Sequence, residues 1–366
     1  MNRRDFLKNS ALGFLATTAA NSPAVHGLFA SETGEKTLRE YAAEAGLLYG
    51  SPVFPQDLKN PQVMAFIAQQ CSLVDFVIYF KSVQPQQGQF EFKTSDAIRD
   101  FAEANGIKLR GHPVIGNGGV PAWLKAISPS DALGIMSTHI NTLVGRYAGK
   151  MYSWDAIHEV IDPAAPGPEH LRNTIWLKLV GPDYIELAVR QVHAADPGAI
   201  LSYNEFGLED DSAEAAAKRQ AVLQLLDNLQ AKKVPINALA LESHIGPELT
   251  FKTLPAFLVE VQRRGLKIFV SELDVRDQTL PADITQRDAA IAAVYKNYLE
   301  AVLENSAVEL VATWGLFDAD SWMIKGKPRN DGLPVRPLPF DAQLKPTPAF
   351  YAMVDAFTSR KVQITT

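Results

Sequence analysis

The sequence predicts an α/β protein built as a single (β/α)8 barrel of the TIM type. Three observations carry this expectation. Eight apolar runs of strand length alternate with segments of helical period along the 366 residues. No linker rich in Pro, Gly or Ser divides the chain. Side chains able to do chemistry gather at the C-terminal ends of the apolar runs, which is where such a barrel builds its active site. The length alone would permit two domains, but barrels of this kind often exceed the usual domain size as one unit.

The first strand is expected over residues 47–50 (Leu47-Leu48-Tyr49-Gly50), followed by a helix over 61–70. The second strand covers 74–80 and leads to a helix over 94–104 that opens on Thr94. Asn105-Gly106 stops that helix, and the third strand follows over 107–114. A helix from Asp131 to Tyr147 ends on the basic Arg146, as the helix dipole favours. The fourth strand spans 151–157 and its helix 183–195 begins at Asp183. Asp196-Pro197-Gly198 announces the fifth strand, 199–203, before a helix over 211–232. The sixth and seventh strands, 237–241 and 267–270, flank a helix over 254–264 that ends in Arg263-Arg264. A helix over 286–304 precedes the eighth strand, 308–314, and a last helix runs over 347–357. The Pro-rich stretch 328–339 reads as a long loop after the eighth strand. A doubly wound open sheet would need a Gly-rich phosphate turn after the first strand, and none is present.

Composition narrows the function. The formal net charge is −6, which argues against a nucleic-acid partner, because phosphate binding needs a basic stripe. No apolar run reaches the roughly 18 residues that span a bilayer. The single cysteine, Cys71, excludes an internal disulfide framework and is expected to pack at a helix end. Arg3-Arg4-Asp5-Phe6-Leu7-Lys8 and the mildly apolar stretch from Ala11 to Ala20 resemble a twin-arginine export signal. Residues 1–30 are therefore read as a leader, with cleavage after Ala20, Gly27 or Ala30, and 31–366 as the catalytic barrel domain. This predicts an exported protein, periplasmic or secreted. That route carries folded proteins, so one cysteine is no objection.

The strand ends hold the candidate site. The third strand ends near Arg110-Gly111-His112, the fourth in His158-Glu159 and the fifth in Tyr203-Asn204-Glu205. The sixth ends in Glu242-Ser243-His244, the seventh in Ser271-Glu272-Leu273-Asp274 and the eighth in Trp314-Gly315, with Asp318 to Trp322 beyond. Glu159 and Glu272 thus face each other across the ring. Two opposed carboxylates are the equipment for cleaving a glycosidic bond: one protonates the leaving oxygen, the other attacks the anomeric carbon or activates water. Trp314 and Trp322 offer flat apolar faces to a sugar ring. A lone Glu at a strand end is more often a salt-bridge partner; two of them with His and Trp beside them point to catalysis. His112, His158 and His244 could form a metal cluster with Glu159 or Glu272, but no metal-ligand spacing supports it and no metal or cofactor is expected.

In this order the motifs resemble those of glycoside hydrolase family 10, dominated by secreted endo-β-1,4-xylanases. Arg110-Gly111-His112, Trp154 to Glu159, Ser202 to Glu205, Glu242-Ser243-His244, Ser271 to Asp274 and Trp314-Gly315…Asp318 to Trp322 carry the resemblance, from about Leu47 to Phe357. It implies a retaining double displacement on a barrel, with Glu159 as acid/base and Glu272 as nucleophile. It implies that His244 and Asp274 hydrogen-bond around the nucleophile, and that His112, Trp314 and Trp322 line the attacked sugar's subsite. Asn204 and Glu242 stand beside the pair.

The departures concentrate on the glycone side. His158 stands where the family has an Asn that bonds the sugar 2-hydroxyl. Gly116-Asn117-Gly118-Gly119 replaces Trp-His-Ser-Gln, Asp75 to Phe80 replaces a Glu-Asn-Glu-Met-Lys-Trp run, and Glu242 replaces a Gln. These changes predict a roomier, more apolar subsite and a specificity shifted away from plain xylan, towards a branched or bulkier β-glycoside. The alternative from another class is a catalytically weak carbohydrate-binding or sensing protein on the same barrel.

Overall fold

The computed structural model describes residues 36–167 and 169–360; the twin-arginine segment lies outside them. Eight parallel strands close into a ring: β1 (Leu48–Pro52), β2 (Leu73–Val77), β3 (Lys108–His112), β4 (Ser153–His158), β5 (Ile200–Glu205), β6 (Ala238–Leu241), β7 (Lys267–Val275) and β8 (Val308–Thr313). Each pairs with its neighbours in sequence order, and β8 returns to β1 with Leu48 opposite Leu310 and Gly50 opposite Ala312. The fold is the predicted (β/α)8 barrel.

All eight predicted helices form, and their caps fix the boundaries. Ser212 accepts from the Ala215 amide, so that helix begins at Ala213. Asp283 accepts from the Gln286 amide and starts the next at Ile284. Further helices, among them Leu38–Glu44 and Ile175–Val180, have runs too short for their period to show in the sequence. The strand bounds shift by a residue or two from expectation, and in three strands the cause is plain. β2 ends at Val77, because Tyr79 turns the chain and Phe80 opens a short helix, Phe80–Val83. β3 stops at His112, before Pro113, which has no amide proton to continue a ladder; Ile115–Gly116 then pairs with the end of β4. β7 runs on to Val275, because His244–Ile245 supplies its end with a partner strand.

The core has two parts. Leu73, Ala238, Ala240, Phe269, Leu310 and Ala312 form a small cluster made only of strand residues, the inside of the barrel. Their alternates Val74, Leu239, Leu241, Val270 and Val311 belong to the larger cluster that packs strands against helices. Cys71 caps the helix Pro61–Gln70 and is fully buried, as expected. No helix among the described residues is long and apolar enough to cross a membrane.

Two loops at the rim are joined by acids. Asp57, whose carboxylate accepts from the Phe54 amide, follows β1. Asp320, bonded by Gln56, follows β8. Burial, then the charge of its neighbour, pushes Asp320 up to about 7; burial raises Asp57 to about 6. Both are raised above the ordinary value of 3.8, so the folded state holds these protons more tightly than the unfolded chain. Stability from this pair is full below about pH 4 and is lost as pH rises through 6 and 7. Asp320→Asn keeps the acceptor for Gln56 and removes one charge. It is expected to stabilise the protein at pH 8 by about 1–2 kcal/mol, discounted for partial exposure, and by much less at pH 4.5. Urea midpoints at the two pH values check this; an equal gain at both would contradict it.

Candidate active site

The site is the polar continuation of the barrel interior. Above the apolar cluster, Arg110 of β3 is wholly buried between Asp75 of β2 (2.6 Å) and Asp155 of β4. Asp155 also contacts His112 Nδ1 at 2.7 Å, which turns the ring so that Nε2 points to Glu272 Oε1, 3.6 Å away. A polar chain therefore runs from the centre of the barrel to its mouth.

Glu272, near the middle of β7, is the best-supported carboxylate there. Asn204 Nδ2 donates to its Oε1 at 2.7 Å, and Ser271 Oγ fixes that amide by donating to Asn204 Oδ1 at 2.7 Å. His244 Nε2 lies 3.4 Å from Oε2, and its Nδ1 is 2.9 Å from Asp274 Oδ1. Trp322 Nε1 donates to the other Asp274 oxygen at 2.7 Å. Burial alone would raise the Glu272 pKa; His112 and the bond from His244 overcome it and hold the carboxyl well below the usual range. Burial would likewise lower His244, but Asp274 and Glu272 raise it well above an ordinary imidazole.

Glu159 follows β4 directly, with φ of 52°, a left-handed backbone that a non-glycine residue adopts at a cost of order 1–3 kcal/mol. Its amide is held by the Asn204 carbonyl at 3.0 Å, and Asn117 Nδ2 donates to its Oε2 at 3.2 Å. Its side chain is 22% exposed, against 5% for Glu272, so the first is open to solvent and the second is nearly shut off from it. Ser243 has the same kind of backbone (φ 66°), pinned by Glu209 and Tyr298, and so lets both Glu242 and His244 reach inward.

Glu242 is a third carboxylate at the centre. One of its oxygens is 3.1 Å from His158 Nε2, and His158 Nε2 is 4.0 Å from Glu159 Oε1. Burial and then the charge of Glu272 raise Glu242. Burial would lower His158, but the bond and charge of Glu242 raise it instead. The pair therefore keeps at least one proton at neutral pH. Among the described residues, three donor sets have ligand atoms close enough to hold a metal: His112, His158 and Glu272; His158, Glu159 and Glu242; Glu242, His244 and Glu272. His158 Nε2 and Glu272 Oε1 are already engaged with Glu242 and Asn204.

All ten residues read from the sequence meet here: Glu159, Glu272, His112, His158, Asn204, Glu242, His244, Asp274, Trp314 and Trp322. Trp314 lies edge-on to His112 at 5.3 Å and Trp322 to His244 at 5.4 Å. The expectation of a roomier, more apolar subsite needs correction. A Cβ on Gly116 would stand 2.9 Å from His158, and one on Gly119 (φ 66°) 2.5 Å from the Tyr79 ring. The glycine run gives up side chains so that His158 and Tyr79 can occupy the space, and His158 brings a buried charged pair. Tyr79, Asn117 and Asp155 were not singled out from the sequence as site residues. Each lies in a stretch with a signal, Asn117 in the glycine run, Asp155 in Trp154 to Glu159 and Tyr79 in Asp75 to Phe80, but nothing local marks which side chain of the stretch turns inward.

The comparisons agree with this geometry. The sequence model of glycosyl hydrolase family 10 matches residues 37–356. Endo-1,4-beta-xylanase 2 of Claviceps purpurea is 29% identical over 322 residues, 87% of this chain and 90% of that protein. Endo-1,4-beta-xylanase A of Thermoanaerobacterium saccharolyticum is 32% identical over 292 residues, 75% of this chain but only 24% of that much longer protein. Native xylanase 10B of Thermotoga maritima superposes with a TM-score of 0.79 at 25% identity, covering 88% of this chain and 98% of that one. With the barrel closed, one glutamate just after β4 and the other within β7, and this match over nearly all of the described residues, the chain belongs to glycosyl hydrolase family 10 and is a glycoside hydrolase.

Proposed function

We propose that the protein is a retaining β-glycoside hydrolase of the endo-1,4-β-xylanase type. The observation that carries this is the asymmetry of the two glutamates: Glu272 is buried, fixed by Asn204 and held ionised beside His112 and His244, while Glu159 is open and bonded by Asn117. Glu159 gives its proton to the glycosidic oxygen as a Glu272 oxygen attacks the anomeric carbon. The glycosidic C–O bond breaks, the alcohol leaves, and a glycosyl ester forms on Glu272. Water then attacks the same carbon, Glu159 takes its proton, and Glu272 departs as carboxylate. His244 and Asp274 keep the nucleophile ionised and aimed; Trp314, Trp322 and His112 wall the bound sugar.

The substrate is a neutral β-linked glycan, xylan-like or branched. The exchanged His158, Glu242 and Tyr79 shift its preference away from plain xylan. Residues 1–30 are a twin-arginine leader, and 31–366 work outside the cytoplasm. Two displacements return the original configuration, so proton NMR of a reacting aryl β-glycoside is expected to show the β-anomer first. Initial release of the α-anomer would exclude the double displacement. A panel of aryl β-glycosides beside plain xylan reads the specificity, and rates on xylan that exceed all others would remove the claimed shift.

A further inference from the structure

The end of β2 places an aromatic residue in the catalytic centre that the reaction above does not use. Tyr79 has extended backbone (φ −47°, ψ 141°) between β2 and the short helix Phe80–Val83. The chain around it is tied down: the Ile78 amide donates to the His112 carbonyl at 2.7 Å, and the Lys81 amide to the Gly119 carbonyl at 2.7 Å. Its ring lies edge-on to His112, 6.0 Å between centroids. Trp314 meets the same His112 ring from the β8 side at 5.3 Å. Two aromatic rings, one from the end of β2 and one from β8, thus meet the His112 ring that faces Glu272.

The fit of Tyr79 is built into the facing loop. A Cβ at position 119 would come within 2.5–2.6 Å of three Tyr79 ring and Cβ atoms, and Gly119 has the positive φ that glycine tolerates best. Nothing lies within 4 Å of a Cβ at Gly118, so the loop is open just beside the ring. Among the described residues, no protein hydrogen bond uses the Tyr79 hydroxyl, although the residue is largely buried and Glu272, Glu242 and Glu159 all act on it electrostatically. Burial and those three charges hold the phenol protonated, so its O–H, unused by the protein, is available to donate to a ligand.

We propose that Tyr79 is a specificity-determining residue that donates a hydrogen bond to a ring hydroxyl of the neutral sugar bound beside Glu272. Its ring and Trp314 hold the two sides of that sugar, and Gly119 is the position that admits it. This rests on the glycosidase reading above and deepens it.

The test crosses Tyr79→Phe, which removes only the hydroxyl, with 4-nitrophenyl β-xylobioside, 4-nitrophenyl β-cellobioside and their analogues lacking one ring hydroxyl on the sugar next to the aryl group. Tyr79→Phe is expected to lower kcat/KM about 3- to 10-fold, with unchanged thermal unfolding. For one analogue the losses should not add, because the variant and the analogue delete the same bond. Gly119→Ala, which displaces the ring, should raise KM further. Unchanged kinetics in Tyr79→Phe, or additive losses for every analogue, would overturn the proposal. Calorimetric binding of xylotriose to Glu159→Gln, with and without Tyr79→Phe, keeps it testable if no glycoside is turned over. A matching 3- to 10-fold weakening supports Tyr79 even where the hydrolytic reading fails, and equal affinity sinks Tyr79 even where hydrolysis is found.

Discussion

Glu272→Ala is expected to lower hydrolysis of an activated aryl β-glycoside by three to six orders of magnitude, or about 4–8 kcal/mol of transition-state stabilisation. The size follows from what is removed. Without the carboxylate no ester can form, and the anomeric cation loses the buried negative charge that Asn204, His112 and His244 keep in place. The same three groups lose their acceptor, but the cavity left behind is small and open to ions. Azide should therefore restore turnover by attacking the anomeric carbon from the face that Glu272 occupied, releasing the aryl alcohol and leaving an α-glycosyl azide. With Glu159→Ala the ester still forms from an activated substrate, and azide should give the β-product. Equal residual rates in the parent and in Glu272→Ala would reduce the protein to a carbohydrate binder. A β-azide from Glu272→Ala would mean that the two roles are exchanged.

The second large effect is structural. Arg110, Asp75 and Asp155 have no exposed side-chain surface, and Arg110 bridges the two carboxylates across three adjacent strands. Burial alone raises Asp155, but Arg110 and His112 pull it below the ordinary range; Asp75, with Arg110 and fewer other partners, stays above it. Arg110→Leu leaves two facing carboxylates with no cation between them in the middle of the barrel. The expected cost is about 3–5 kcal/mol in urea unfolding, since breaking a buried pair is far worse than never having built it. Asp75→Asn added to Arg110→Leu should recover part of that loss. Activity should fall even in variants that remain folded, because Asp155 also sets the His112 ring that faces Glu272. A loss under 1 kcal/mol would show that water reaches this layer.

Much of the site was legible in the sequence, for a physical reason particular to barrels. Parallel strands feeding a common mouth make the last residue of each strand a neighbour of all the others, so His158-Glu159, Glu242-Ser243-His244 and Ser271 to Asp274 could be placed together before any coordinate was known. The ends of strands were less legible. β2 was read through Phe80 because Phe76 to Phe80 is apolar throughout, and apolarity does not distinguish a strand from a buried turn at its end. The inward turn of Tyr79 therefore leaves no mark in the sequence. The glycine run from Gly116 to Gly119 read as lost side chains and an enlarged pocket, because a sequence shows what a position lacks and not what moves into its place. The pairing of His158 with Glu242, 84 residues apart, follows the same rule.

The sequence by itself determined the eight-fold alternation, the two opposed glutamates and their supporting histidines, because periodicity and strand-end position are local properties of the chain. Only the tertiary structure decided that Tyr79 and His158 fill the space left by Gly119 and Gly116, that Glu242 meets His158 at 3.1 Å, and that Arg110 links the barrel interior to the nucleophile. Those facts depend on which side chains from different strands come within about 3 Å of one another, and that distance is set by closure of the ring.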